Sequence, residues 1–212
     1  MKKLKFEMIG NLYNMAFPEN MIKSRKELLA VILESCRFMM QNSTVNHADN
    51  LLMLVVNDMN RLFYCKDKKM FSVAFPFHVD CSSPIKFDLD GIDINSAMIS
   101  NLFTVINSDE FEMTCSYDFI TPIIDIEEQF SVDFWTVLKY LMTYELGYIR
   151  YDDDIVGFNK ASKEGVPNRH PRYHFDVNYS QQAAFKIGLD RHISPDKFVD
   201  ILDDTIDRKY LR

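Results

Sequence analysis

Apolar positions along this chain switch between two periods, and the switches divide it into elements. Residues 18–41 carry a helical stripe, with Leu28, Leu29, Ile32, Cys36 and Met39 recurring at the 3.6-residue period and Glu34 and Arg37 on the other side. Ser24-Arg25-Lys26-Glu27 has capping-box spacing, in which the serine oxygen and the glutamate carboxylate each satisfy an orphan backbone amide. The run Leu51-Leu52-Met53-Leu54-Val55-Val56 fits a buried strand or part of a second helix beginning near Asn46, and periodicity does not arbitrate. From residue 61 the period becomes two. Residues 61–65 and 71–79 read as a hairpin across the polar spacer Lys66-Asp67-Lys68-Lys69, with Phe71, Val73, Phe75 and Phe77 on one face. Pro76 has no amide to give to a ladder, so its strand belongs at a sheet edge or carries a bulge. Residues 84–89 read as another strand, stopped at Asp90-Gly91.

The second half alternates the two periods again. Ile99, Leu102, Phe103 and Ile106 predict a helix with Asn95 as its N-cap, and residues 110–124 read as extended. The next helix is capped by Ser131, carries Asp133 in its first turn and ends at Gly147. Its stripe is Trp135, Leu138, Met142 and Leu146, which makes the single tryptophan a core residue rather than a ligand platform. Residues 147–151 read as a short strand closed by Asp152-Asp153-Asp154. Those three carboxylates read as a solvated turn, because neighbours on an extended segment point to opposite sides and no glycine and closing glutamate follow at calcium-loop spacing. Residues 157–169 form the longest predicted loop. Ser194-Pro195-Asp196 opens a last helix with a cap, a first-turn proline and a first-turn carboxylate, and Phe198, Ile201, Leu202 and Ile206 are its packing stripe. The basic tail Arg208-Lys209-Tyr210-Leu211-Arg212 complements the helix dipole without a partner.

The most specific pattern lies between that loop and that helix. Tyr173, Phe175, Val177 and Tyr179 alternate with Arg172, His174, Asp176, Asn178 and Ser180, and Phe185, Ile187 and Leu189 alternate with Lys186 and Gly188. In a hairpin, a one-residue slip would invert one strand, so the apolar faces fix the register. Val177 then faces Phe185, Phe175 faces Ile187 and Tyr173 faces Leu189, with Ser180-Gln181-Gln182 as the loop. The same register sets Asp176 opposite Lys186, an ordinary cross-strand ion pair, and His174 opposite Gly188, which leaves open space over the imidazole. The candidate site residues are therefore His170, His174, Asp176 and Lys186. His170, His174 and Asp176 are groups of the acid–base or metal-ligating kind, and Lys186 is a cation able to face a phosphate.

Together these elements predict one α+β domain over residues 1–212, a mostly antiparallel sheet flanked by four or more helices with a helical subregion over about residues 1–60. Residues 1–125 and 126–212 are the alternative subregions. Composition adds little. The 47% apolar and 26% charged residues are those of an ordinary globule, and no internal repeat is present. Cys36, Cys65, Cys81 and Cys115 form no CxxC pair, which reads as reduced, packed thiols in a cytoplasmic protein. The basic start resembles a signal-peptide n-region, but Glu7, Asn11 and Asn14 interrupt any apolar stretch, so it reads as mature protein. No run is long enough to span a bilayer.

Charge changes the picture more. Residues 88–154 hold two Lys/Arg against fifteen Asp/Glu, whereas residues 1–42 hold seven against four. An acidic middle repels phosphate backbones, so nucleic-acid binding is not indicated, and no helix carries a basic reading face. The bland reading of this segment is a solvated face, and the alternative is a surface for a basic partner.

Arg150-Tyr151-Asp152, His170-Pro171-x-x-His174, Phe185-Lys186-Ile187 and Ile193-Ser194-Pro195-x-x-Phe198-x-x-x-Leu202 together resemble the C-terminal signature of a bacterial domain-of-unknown-function family of similar length. The resemblance covers about residues 148–206, and that family has Arg-Ile-Pro where this chain has Lys186-Ile187-Gly188. Families of this kind resemble accessory genes of mobile and anti-phage loci. The resemblance therefore implies a protein associated with bacterial defence or mobile elements, and the acidic middle and modest inventory of catalytic groups add the expectation of a non-catalytic component that acts through a protein partner encoded in the same locus and uses no cofactor. The alternative expectation is a metal-dependent nuclease or phosphoesterase built on His170, His174 and Asp176.

Overall fold

The computed structural model describes residues 2–19, 21–108, 129–179, 184–203 and 205–207. Their elements run β1 (Lys2–Glu7), α1 (Gly10–Ala16), α2 (Arg25–Gln41), β2 (Asn50–Val56), β3 (Arg61–Lys66), β4 (Lys69–Ala74), β5 (His78–Asp80), β6 (Lys86–Leu89), β7 (Ile92–Asp93), α3 (Ser96–Ile106), α4 (Val132–Thr143), β8 (Ile149–Asp153), α5 (Ile155–Lys163), a 3₁₀ turn (Pro167–Arg169), β9 (Tyr173–Val177), β10 (Phe185–Leu189) and α6 (Pro195–Leu202). The fold is α+β with antiparallel pairing in both sheets. The chain divides into two compact units: Met1–Ile9, Thr44–Phe75 and Leu146–Arg212 form one, and Gly10–Ser43 and Pro76–Glu145 form the other.

The first unit is a seven-stranded sheet in the order β1-β2-β3-β4-β8-β9-β10. One face of it is apolar. Met53, Val55, Phe63, Cys65, Met70, Tyr151 and Phe175 pack there with Ile193 and with Phe198 and Val199 of α6. Phe198 is the centre of this core, edge-on to Phe63 at 5.6 Å and stacked on Phe175 at 5.7 Å. Burying such side chains contributes about 2 kcal/mol each, which makes α6 the lid of this core. Ser194 caps α6 as its sequence predicts, accepting from the Lys197 amide. Ile206 lies beyond the helix and is 40% exposed, so it is no part of the packing stripe.

The ambiguous run at residues 51–56 is a strand: β2 sits between β1 and β3, and Leu52 to Val55 are fully buried. The N-terminal region is helical over α1 and α2 but opens with a strand that periodicity does not reveal. In β1 only Leu4 and Phe6 alternate against Lys2, Lys3 and Lys5, and such lysines are a common protection of a sheet edge.

The second unit holds α1 to α4 and a three-stranded sheet in the order β5-β6-β7. The capping box at Ser24 and Glu27 is formed by both of its bonds, so α2 begins at Arg25 and not at residue 18. Asn95 accepts from the amides of Ala97 and Met98, and Ser131 from that of Phe134. The predicted strand over residues 71–79 is interrupted: β4 ends at Ala74, and β5 belongs to the small sheet, with Pro76 between them. α4 stops at Thr143 rather than at Gly147, where Arg25 donates to the carbonyls of Leu141 (2.8 Å) and Tyr144. Its buried stripe is Phe134, Val137, Leu138 and Leu141, which shares only Leu138 with the predicted one. Trp135 is half-buried and lies edge-on to Phe130 and Phe134. No helix among the described residues is long and apolar enough to cross a membrane. The extended segment expected at residues 110–124 and the basic tail at 208–212 lie outside the described residues.

Candidate functional site

β8, β9 and β10 are neighbours in the large sheet, and alternation gives each of them one apolar and one polar face. The β9–β10 hairpin has the register that its apolar positions require, with Phe185 opposite Val177, Lys186 opposite Asp176, Ile187 opposite Phe175 and Gly188 opposite His174. Its predicted loop residues, Ser180 to Gln182, lie outside the described residues. On the other side of β9, Arg150 pairs with Asp176 and Asp152 with His174. Tyr151 and Phe175 therefore enter the core, and Arg150, Asp152, His174, Asp176 and Lys186 share the opposite face.

These five side chains form one network. Arg150 bridges two carboxylates, with Nε 2.8 Å from Asp152 Oδ2 and Nη2 on Asp176 Oδ2. Lys186 Nζ donates to Asp176 Oδ1 at 2.6 Å and meets His174 Nε2 at 2.8 Å. His174 Nδ1 lies 2.8 Å from the carbonyl oxygen of Pro171. A carbonyl only accepts and an ammonium only donates, so Nδ1 carries the proton and Nε2 presents its lone pair to the lysine. The imidazole is 1% exposed, so both of its nitrogens are committed within the protein.

His170 goes elsewhere. Asp154 is the N-cap of α5: its Oδ1 accepts from the Gly157 amide and its Oδ2 meets His170 Nε2, each at 2.8 Å. Gly157 makes this pairing possible, because a Cβ there would stand 2.3 Å from His170 Nε2. The two imidazoles approach edge to face at 5.0 Å between centroids but belong to separate networks. The structure thus brings His174, Asp176 and Lys186 together and leaves His170 beside them with its own carboxylate.

Three expectations are corrected here. Asp152-Asp153-Asp154 is not a solvated turn: Asp152 is buried in β8, Asp153 pairs with Arg172 Nε at 2.8 Å, and Asp154 caps a helix. The loop expected over residues 157–169 is mostly α5 and the 3₁₀ turn. The space over His174 is not open either. A Cβ on Gly188 would lie 2.9 Å from Pro171 Cγ, so the glycine admits the proline ring whose carbonyl orients the histidine. Sequence reasoning missed Arg150 and Asp152. The signal was present in the alternation Arg150-Tyr151-Asp152, but it becomes informative only once β8 is known to lie against β9.

The formal charges of the network cancel, with Arg150 and Lys186 against Asp152 and Asp176. Burial alone would raise the Asp176 carboxyl, yet contacts from His174 and Lys186 and the charges of Arg150 and Lys186 hold it well below the usual carboxylate range. Burial pushes the Tyr148 phenol up to about 12, against the opposing pull of Arg150. At Asp154, burial is outweighed by the Gly157 amide and by His170, and the carboxyl is lowered.

Asp152, His174 and Asp176 each offer one ligand atom, and these atoms lie within 4.8 Å of one another. One imidazole and two carboxylates suit a divalent cation in donor chemistry. The arrangement as it stands does not fit one, because Lys186 already holds two of the three donor groups and the network is neutral without a further charge. Asp152 Oδ1 is buried and accepts no hydrogen bond from the described residues. Compared with family models, with curated proteins and with solved structures, the chain matches none.

Proposed function

We propose that the protein is a non-catalytic component of a bacterial anti-phage defence or mobile-element system, acting in the cytoplasm through a protein partner encoded in the same locus and needing no cofactor. The observation that carries this reading is the state of His174. A general base or nucleophile-activating group must offer a lone pair or a proton to its substrate. Both nitrogens of this histidine are already bonded within the protein, and Asp176 is held by two cations. Such a network is a polar clasp that fixes β8, β9 and β10 against each other. β10 is an edge strand with Phe185 56% exposed, and edge strands accept further chains by backbone pairing. The genomic setting rests on the resemblance over residues 148–206. Affinity purification of the tagged protein from cells carrying its native locus tests the reading: a stoichiometric partner encoded beside it is expected, and Phe185→Lys should weaken its recovery. A lone monomer in that experiment would sink the reading.

The second reading is a metal-dependent nuclease or phosphoesterase using His170, His174 and Asp176 with Lys186 facing phosphate, and it draws support from the ligand atoms of Asp152, His174 and Asp176 lying within 4.8 Å of one another, although His170 pairs with Asp154 instead. Metal content and nuclease activity of the parent beside His174→Ala separate the two. Metal-dependent cleavage lost in the variant favours the second.

A further inference from the structure

The backbone of β10 has a phase that its neighbours dictate. Opposite residues of an antiparallel pair alternate between exchanging both backbone bonds and exchanging none. In the β8–β9 register, the Asn178 amide donates to the Tyr148 carbonyl and the Asp154 amide to that of Arg172, so the even-numbered residues of β9 turn their backbone groups to β8. Tyr173, Phe175 and Val177 therefore turn theirs to β10, where they meet Leu189, Ile187 and Phe185. Lys186 and Gly188 are left with amides and carbonyls directed outward, on the last strand of the sheet order. Both residues are exposed, as are Phe185 and Asp190, so this edge is open to solvent among the described residues.

We propose that this edge pairs with the same edge of a second copy of the chain, antiparallel about a twofold axis at Gly188. That register keeps the outward backbone groups in phase and sets Lys186 opposite Asp190 of the second copy, in two ion pairs related by the axis. Ile187 then lies beside Leu189 of the second copy on the apolar face. Centring the axis on Ile187 or Leu189 leaves Lys186 facing Gly188 or His192, and centring it on Lys186 opposes two ammonium groups. Lys186 has a donor for the pairing, because its ammonium carries three N–H groups and Asp176 and His174 take two. Asp190, the first residue after β10, has a side chain 77% exposed, and its pair with the equally exposed Arg191 is worth little in water. A strand of 5 residues from each copy makes a small interface, so association is reversible and concentration-dependent. The proposal rests on the reading of β10 as a docking edge and names a second copy as the chain that takes it.

The test compares full-length parent and Asp190→Lys by analytical sedimentation over a range of concentrations, with circular dichroism confirming the fold. The parent's mass should rise toward that of two chains as concentration increases. Asp190→Lys sets like charges against each other in both pairs and should associate at least about tenfold more weakly. Site-resolved hydrogen exchange locates the contact. The Lys186 and Gly188 amides should slow as the parent's concentration rises, and those of Phe185, Ile187 and Leu189, bonded to β9 throughout, should not change. Should Asp190→Lys fail to fold, Phe185→Lys, which faces Arg191 of the second copy, carries the same comparison. A parent that stays monomeric would overturn the proposal, as would a dimer whose Lys186 and Gly188 amides exchange at the monomer's rate or one that folded Asp190→Lys forms equally well. A homodimer recovered with no partner from the native locus removes only the partner reading. A locus-encoded partner of a chain that is monomeric alone removes only this proposal.

Discussion

Replacing Asp176 with Asn removes one charge from the network and leaves its shape. Arg150 then keeps one carboxylate partner, Asp152, and Lys186 loses its only ion pair among the described residues. Arg150 and Asp176 have side chains only 13% exposed, so water does not take over the lost interaction. Removing one partner of a buried pair typically costs about 3–5 kcal/mol. The lower end applies, because Asp152 still holds Arg150 and the Lys186 side chain can turn to solvent. A loss of about 3 kcal/mol with a urea dependence of about 2–3 kcal/mol per molar lowers the unfolding midpoint by about 1 M. Far-UV circular dichroism is the suitable probe, because Trp135 lies in the other compact unit. The pH dependence gives a second check. The folded Asp176 carboxyl titrates below its unfolded value of about 3.9, so its contribution is complete above that value and is lost as pH falls toward the folded one. The midpoint difference between parent and variant is therefore constant from about pH 5 upward and shrinks below about pH 4. Equal midpoints at pH 7, or a difference that grows on acidification, would refute the reasoning.

Two other perturbations probe the surroundings of the clasp. Gly157→Ala would ordinarily stabilise a helix by up to about 1 kcal/mol. Here its Cβ would stand 2.3 Å from His170 Nε2, so we expect a net loss of about 1–3 kcal/mol in thermal or urea unfolding and a displaced His170 imidazole resonance. Phe198→Ala removes the aromatic that joins α6 to Phe63 and Phe175, and we expect a loss of about 3–5 kcal/mol with early hydrogen exchange of the α6 amides.

What the sequence made legible follows the range of the interactions involved. The β9–β10 register could be read because both strands alternate and lie a few residues apart, so matching apolar faces leaves one solution. The caps at Ser24, Asn95, Ser131 and Ser194 could be read because each acts within its own turn. Arg150 and Asp152 could not be placed, because their meaning depends on β8 pairing with β9 more than twenty residues later. α5 was hidden by Gly157, which lowers helix propensity and is present to let His170 approach Asp154. β1 was hidden by the lysines that protect its edge. Gly188 carried the opposite lesson: the missing side chain marked close approach, as a glycine in a strand often does, but the approaching group was Pro171 and not a ligand.

The claim on which the clasp stands is that both nitrogens of His174 are committed, Nδ1 as donor to Pro171 and Nε2 as acceptor from Lys186. Nitrogen-15 NMR of the imidazole at pH 7, assigned by comparison with His174→Gln, tests it most directly. A protonated Nδ1 and an unprotonated Nε2 whose shift moves when Lys186 is replaced by Met is the predicted result. A proton on Nε2, or a resonance indifferent to Lys186, would contradict the account.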